Sequence, residues 1–276
     1  MKIEFSKMSG AGNDFVCVDN RTSVISNGAR LARVLCNRRS GVGADGLLLL
    51  EPSDRADFKM MYYNADGSFG GMCGNGGRCI AVFGMKQNAA KPRMQFEALD
   101  HVYDADVSED RVTLTMKDVG PLSRKKMMKI RGNLLHYYFI DTGSPHVVIP
   151  LDFWGSTPRS LESVQVESIG RTIREHNSFA PDGTNVNFIK LSKDRTVHFR
   201  TYERGVEAET FACGTGSIAA AFVAHKIWKL NSPIQIIPRS SIPLLVEFRQ
   251  VGQRYEKVRL TGPAIITFTG TVDVET

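Results

Sequence analysis

The sequence predicts an α/β (α+β) fold made of two similar halves, with β-sheet wrapped around a central helix. Three observations carry this. Short strand-like segments dominate the chain and few helices interrupt them. The motif Cys-Gly-Xaa-Gly occurs twice, as CGNG from Cys73 and CGTG from Cys213, about half a chain length apart. YNADG (63–67) and YERG (202–205) precede the two motifs at similar offsets, so the repeat has the scale of a domain rather than a solenoid unit. Lastly, residues 218–224, IAAAFVA, are apolar on every side. A helix of that kind must be surrounded by protein, and in a β-rich half the surround is a sheet.

The elements follow in order. KIEFSKM and FVCVDN read as strands around the glycine loop SGAGND. ARLARVLCNR reads as a helix with Leu31, Val34 and Leu35 on one face. GLLLLEP and FKMMYYN are strands ending in polar turn residues, and GRCIAVFGMKQ is a helix. RMQFEAL, VYDADVS and RVTLTMKDV alternate like hairpin strands. The plan then restarts after Gly120-Pro121. HYYFIDTGSPHVVIP is strand, turn, strand, and LESVQVESIGRTIREH is a helix. NVNFIKL and TVHFRTYE are strands, and SIAAAFVAHKIWK is the second apolar helix. IQIIP, LLVEF, KVRL and AIITFTGTVDV complete the strand series.

Composition narrows the class. Of 276 residues, 42% are hydrophobic and 23% charged, which gives core material for one or two globular domains. The N-terminus MKIEFSKMSG has no apolar signal-peptide core, and no apolar run reaches membrane-spanning length. A cytoplasmic location is expected, with no membrane partner. Five cysteines cannot all pair within one chain, which fits a reducing compartment. Cys17 and Cys36 sit among apolar neighbours and read as small core residues. Cys73 and Cys79 lack a zinc-ligand spacing, so no metal site is expected. The net charge of +6 is concentrated in part in SRKKMMKIR (123–131). No aromatic residue interleaves with that run, so it reads as a solvated loop or interdomain link rather than a nucleic-acid surface.

The cysteine motifs carry the chemistry. A helix N-terminus presents unpaired N–H groups and the positive end of its dipole. Glycines beside the thiol let a ligand approach the backbone, and an anion held there gains several donors at once. An ordinary cysteine, with a pKa of about 8.5, is only a few per cent thiolate at neutral pH. A favourable helix end offers up to ~2 kcal/mol toward ionisation, so each motif is expected to ease thiolate formation. Two such thiols on opposite faces of one carbon would remove a proton from one side and return it from the other, inverting a stereocentre. One thiolate and one thiol are needed at a time, a mixed state that like-charge repulsion favours.

GAGNDF (10–15), NADGS (64–68), MCGNGGRC (72–79), GSPH (143–146), TNVNF (184–188), YERG (202–205) and ACGTG (212–216) occur in this order. Together with GPAIITFTG (262–270) they resemble the diaminopimelate epimerases over nearly the whole chain. The resemblance implies two pseudo-symmetric domains, each a curled β-sheet around a central helix, covering 1–119 plus 264–276 and 120–263. It implies a cofactor-independent isomerase that interconverts LL- and meso-2,6-diaminopimelate, a small-molecule substrate, on the lysine route. A homodimer is the assembly allowed for. The acid/base residues it implies are Cys73 and Cys213, with His146 and Glu203 close to the reacting centre. Asn13, Asn64, Asn185, Glu203 and Arg204 match substrate-binding positions, and Gly74, Asn75, Gly214 and Thr215 match the backbone cradles. Two departures stand out. Ser144 stands where many members have asparagine, and Gly46 where some have glutamine, so both bear on recognition of the distal end. The alternatives are another isomerase on the same scaffold, such as a proline racemase-like enzyme, and a redox-responsive binding protein.

Overall fold

Strand order repeats along the chain with a helix inserted at matching places. The structure, a computed structural model, describes residues 1–109, 111–154 and 160–274; positions 110, 155–159 and 275–276 of the expected halves lie outside the described residues. Two units are present, one of Met1–Thr115 with Thr261–Thr276 and one of Met116–Leu260.

The first unit runs β1 (Lys2–Gly10), β2 (Asn13–Asp19), α1 (Gly28–Leu35), β3 (Gly46–Glu51), β4 (Phe58–Asn64), α2 (Gly74–Lys86), β5 (Arg93–Ala98), β6 (His101–Ser108) and β7 (Arg111–Thr115). The second unit runs β8 (Lys126–Ile130), β9 (Asn133–Asp141), β10 (Pro145–Pro150), α3 (Val166–Arg174), β11 (Asn185–Leu191), β12 (Val197–Glu203), β13 (Ala208–Thr210), α4 (Gly214–Trp228), β14 (Ile234–Ile237), β15 (Leu244–Val251) and β16 (Arg254–Pro263), whose last residues enter the first unit. β17 (Ile265–Asp273) closes the first unit by pairing antiparallel with β1.

Pairing follows the same plan in both. β1–β2 are antiparallel, β2–β3 parallel across α1, β3–β4 antiparallel, β4–β5 parallel across α2, and β5–β6 antiparallel. β9–β10, β10–β11, β11–β12, β12–β14 and β14–β15 repeat that series, with α3 and α4 as the crossovers. Parallel neighbours need such a crossover, whereas antiparallel ones close with short turns. The β1–β2 turn is two residues, with φ of 65° at Ala11 and 110° at Gly12, the positive pair a tight hairpin uses.

Each sheet curls around its apolar helix. α2 packs against β1, β2, β3, β4, β6 and β7, and α4 against β9, β10, β11, β12, β14 and β15. Ala219 through Ala224 are wholly buried, as their all-round apolar character requires. Phe222 stacks on Tyr255 with centroids 3.9 Å apart. The other face of each sheet is covered by the amphipathic helix. Val16, Val18, Leu47 and Leu49 meet Leu31, Ala32 and Leu35 of α1. Val147, Ile149, Val186 and Phe188 share a core with Val166 and Ile173 of α3. β3 is therefore buried on both faces, and the unbroken run Leu47–Leu50 follows from that. Asn27 caps α1 by accepting from the Arg30 amide at 2.9 Å.

Three local expectations need correction. Residues 126–130 of the basic run form β8, paired with β9. Met128 and Ile130 are buried while Lys126, Met127 and Lys129 point out, so the alternation of a half-buried strand outweighs the charge. The helix expected over 161–176 spans only Val166–Arg174; Leu161 and Val164 join the same core from turns. Val34 is exposed, and Ala32 takes its place on the buried face of α1. β13 follows YERG, in a segment to which the sequence alone assigns no element. Among the described residues, no helix is long and apolar enough to cross a membrane.

Candidate active site

The expected site residues collect at one end of each sheet. Asn13 opens β2, Gly46 opens the parallel β3, and Asn64 closes the antiparallel β4, directly opposite Gly46. In the second unit His146 lies on β10 opposite Asn185, which opens β11, and Glu203 closes β12. In each unit the chain leaves the last of these strands and enters the apolar helix through its cysteine.

Cys73 and Cys213 are both the residue immediately before the helix, and their backbones agree closely. Cys73 has φ −122° and ψ 123°, Cys213 φ −123° and ψ 115°. Neither uses its side chain as a cap. The first intrahelical bonds come from Gly77 to the Cys73 carbonyl (2.7 Å) and from Ser217 to the Cys213 carbonyl (2.9 Å). Gly74 and Asn75, and Gly214 and Thr215, thus carry the leading amides of α2 and α4. Cys73 is partly exposed and Cys213 buried; Cys17, Cys36 and Cys79 are buried in the core.

In the first unit a head-to-tail chain of hydrogen bonds orders the asparagines. Arg78 donates to Asn75 Oδ1 (2.8 Å), Asn75 Nδ2 to Asn13 Oδ1 (2.6 Å), and Asn13 Nδ2 to Asp45 Oδ2 (3.1 Å). Arg38 pairs with both Asp45 (2.8 Å) and Asp14 (2.7 Å), and Lys7 also pairs with Asp14 (2.8 Å). Burial opposes ionisation of Asp14, yet Arg38 and Lys7 hold its pKa down to about 2. Arg78 is fully buried, and its remaining bonds go to carbonyl oxygens of Gly74, Gly10 and Pro263. Burial lowers its pKa to about 10, while the thiols of Cys79 and Cys73 act in the opposite sense. The guanidinium therefore stays charged near Cys73 at neutral pH. Asn64 accepts from Tyr62 (2.6 Å) and donates to Ser68 (2.9 Å). Gly46 offers backbone only: a Cβ there would lie 2.5 Å from the Tyr62 ring and 2.6 Å from the Tyr63 carbonyl. The ring fills the space that a longer residue at that position would need.

In the second unit Asn185 accepts from the Arg204 amide (2.9 Å) and donates to Ser144 Oγ (3.3 Å) and the Pro145 carbonyl (3.0 Å). Arg204 reaches the Asp182 carbonyl (3.4 Å), and Glu203 accepts from the Thr210 hydroxyl. His146 is fully buried, with Nε2 at 3.0 Å from both Ser144 Oγ and Thr215 Oγ1. Burial drives its pKa down to about 3, and the charge of Arg204 pushes the same way, so the ring is neutral. Thr215 Oγ1 lies 3.6 Å from Cys213 Sγ.

The sequence argument expected Cys213 to ionise more easily. The structure reverses that direction: burial raises its pKa well above the ordinary value, and the Glu203 carboxylate raises it further. The Gly216 amide and the Thr215 hydroxyl act the other way and are outweighed. A helix end worth up to ~2 kcal/mol does not cover the cost of putting a thiolate in a dry interior. Cys213 rests here as a thiol.

Sequence reasoning missed Asp45, Arg78, Asn187 and Thr201. Arg78 carried a signal, a charge directly before the apolar run Cys79–Phe83 of the helix, which must find partners when buried. Asn187 alternates with Asn185 on a strand whose other residues up to Ile189 are apolar. Asp45 meets Asn13, and Thr201 meets Asn187, only through strand pairing. Among the described residues, no group of three or more His, Cys, Asp or Glu could hold a metal ion.

Comparison with known proteins gives a consistent outcome. The family model for diaminopimelate epimerase matches residues 5–123 and 138–265. The diaminopimelate epimerase of Chlorobaculum tepidum is 39% identical over 96% of this chain and 99% of its own length. That of Aquifex aeolicus is 36% identical over 99% of each chain. Among solved structures, a hydroxyproline epimerase from Agrobacterium vitis aligns with TM-score 0.73 at 15% identity, covering 98% of this chain and 92% of its own. A Bacillus anthracis phenazine biosynthesis protein of the PhzF family aligns with TM-score 0.72 at 14% identity, covering 99% and 100%. At such identities the two structures share the fold alone.

Proposed function

The chain belongs to the diaminopimelate epimerase family, and from that premise we propose that it interconverts LL- and meso-2,6-diaminopimelate by a two-thiol acid/base mechanism. It is an isomerase. One cysteine, as thiolate, takes the α-hydrogen; the other, as thiol, delivers a proton to the opposite face. The carbanion that forms between these steps places negative charge beside the α-carboxylate. Amides of Gly74 and Asn75, and of Gly214 and Thr215, are the donors that stabilise it, and they need no reorganisation as charge develops. Asn13, Asn64, Asn185 and Arg204 bind the substrate, Arg204 through a two-pronged grip on a carboxylate. Ser144 offers a shorter group than the asparagine many members carry, and a water completes its reach to the distal end. The reaction runs in the cytoplasm, where the five free cysteines stay reduced.

The observation that supports this reading best is the pair of cysteine-led helix starts with matching backbone geometry, each at the end of its own sheet where the polar residues gather. The high pKa of Cys213 supports its role as the proton donor in the resting state, with Glu203 as its neighbour. Purified, reduced protein with no added cofactor is expected to bring LL- and meso-diaminopimelate to the same equilibrium mixture from either side. Racemisation of proline or hydroxyproline with no action on diaminopimelate would replace the substrate assignment. Inertness toward diaminopimelate, proline and hydroxyproline alike would remove the epimerase reading.

A further inference from the structure

We infer that Asn187 sets the tautomer of His146 so that the Thr215 hydroxyl donates its hydrogen to Cys213, making Asn187 a positioning residue for that thiol.

The inference follows bond by bond. Asn187 is fully buried on β11. One of its side-chain atoms lies 2.8 Å from the Val147 carbonyl, which can only accept, so that atom is the amide nitrogen Nδ2. The oxygen, Oδ1, then faces the Thr201 hydroxyl, which donates to it at 2.9 Å. The second hydrogen of Nδ2 points at His146 Nδ1, 3.1 Å away. A ring nitrogen facing a donor must carry its lone pair there, so the neutral ring holds its hydrogen on Nε2. Nε2–H is 3.0 Å from Thr215 Oγ1 and 3.0 Å from Ser144 Oγ. Ser144 Oγ already receives a hydrogen from Asn185 Nδ2 (3.3 Å). Thr215 Oγ1 accepts the ring N–H and has two neighbours for its own hydrogen: Ser144 Oγ at 3.4 Å, which already accepts from Asn185, and Cys213 Sγ at 3.6 Å, which takes it.

The packing is arranged around this amide. A Cβ on Gly216 would meet Asn187 Oδ1 at 2.7 Å, so the glycine immediately after Thr215 is what lets the asparagine lie against the helix start. The other ionisable groups facing Cys213 and His146 are Glu203 at the end of β12 and Arg204 beside it. Glu203 favours the thiol, so the Thr215 donor is the side-chain group that favours the thiolate. With the opposite tautomer, Thr215 would donate to the ring and Cys213 would lose its donor. The consequence for turnover rests on the two-thiol reading above; the hydrogen-bond order itself does not.

Nitrogen-15 spectra of histidine-labelled protein at neutral pH should show His146 with a bare Nδ1 and a protonated Nε2. A protonated Nδ1 would overturn the inference on the unaltered protein. The second readout is the pH midpoint for alkylation of Cys213, mapped by peptide mass spectrometry. Thr215→Val should raise that midpoint by about one unit, the tenfold loss expected for one hydrogen bond to a charged acceptor. Asn187→Ala should raise it in the same direction, and the double variant no further than the larger single change, because the residues act in series. A disturbance that only alters access changes the plateau and leaves the midpoint in place. An unmoved midpoint in folded Asn187→Ala, with Thr215→Val shifted, would reject the relay; if Asn187→Ala does not fold, the nitrogen spectrum decides. Failure to epimerise diaminopimelate would leave both readouts standing, so the two readings fail separately.

Discussion

Cys73→Ala and Cys213→Ala should each lose epimerisation by at least about 10²–10⁴-fold, the range that a positioned acid or base contributes. The loss falls on kcat, because neither thiol is a main source of binding contacts. In the proposed mechanism both are needed, since the two thiols act in succession: without the base no α-hydrogen leaves, and without the acid none returns on the other face. Serine variants should be nearly as impaired, because an alcohol is a far weaker acid than a thiol at neutral pH. Circular dichroism and unfolding curves separate catalysis from folding, and the two changes differ there. Cys73 is partly exposed, so its truncation should cost little stability, whereas buried Cys213 leaves a small void. Steady-state assays of the two variants check this; substantial epimerisation by either one rules out a shared mechanism in which each thiol is essential.

The second large effect is on stability in mild acid. His146 has a pKa of about 3 in the folded protein, against the ordinary 6.5 of an exposed ring. Below 6.5 the unfolded chain takes up a proton that the folded protein refuses. Stability contributed by the neutral buried ring is therefore full above about pH 6.5 and is lost progressively as pH falls toward 3. Between pH 7 and 5 the expected loss is about 2 kcal/mol from this one group. Asp14 adds a further loss only at lower pH, through the window from its ordinary value of 3.8 down to about 2. Denaturant titrations at the two pH values should show the difference in the unaltered protein. His146→Gln should flatten it by the same ~2 kcal/mol, and equal slopes in both proteins would contradict the assignment.

Much of the architecture was legible because it is written in local patterns. The all-apolar stretch 218–224 had to be enclosed, and strand after strand alternated or ran fully apolar according to its exposure. The duplication was visible in CGNG and CGTG, and it extends to α1 and α3, which no shared motif marks. Charge misled at residues 126–130: one buried methionine and one buried isoleucine at alternate positions fix a strand, and the lysines between them merely face water. The candidate site divided along the same line. Cys73, Cys213, Asn13 and Asn185 stand in motifs and could be read directly. Asp45 meets Asn13, and Asn187 meets His146 and Thr201, only through strand register, and no short window of sequence holds both members. The protonation of Cys213 also lay out of reach. A helix dipole can be anticipated from a glycine-rich start, but the burial and the nearby Glu203 that outweigh it are properties of the packed fold.

The most direct test of the two-thiol account is the isotope pattern in early turnover. LL-diaminopimelate is incubated with the protein in D2O, and both stereoisomers are analysed while conversion is low. A base on one face and a separate acid on the other predict meso product carrying deuterium at the inverted α-carbon, and recovered LL substrate still carrying hydrogen. Equal deuterium in substrate and product from the outset would mean that a single group serves both faces, and the account of paired cysteines would not stand.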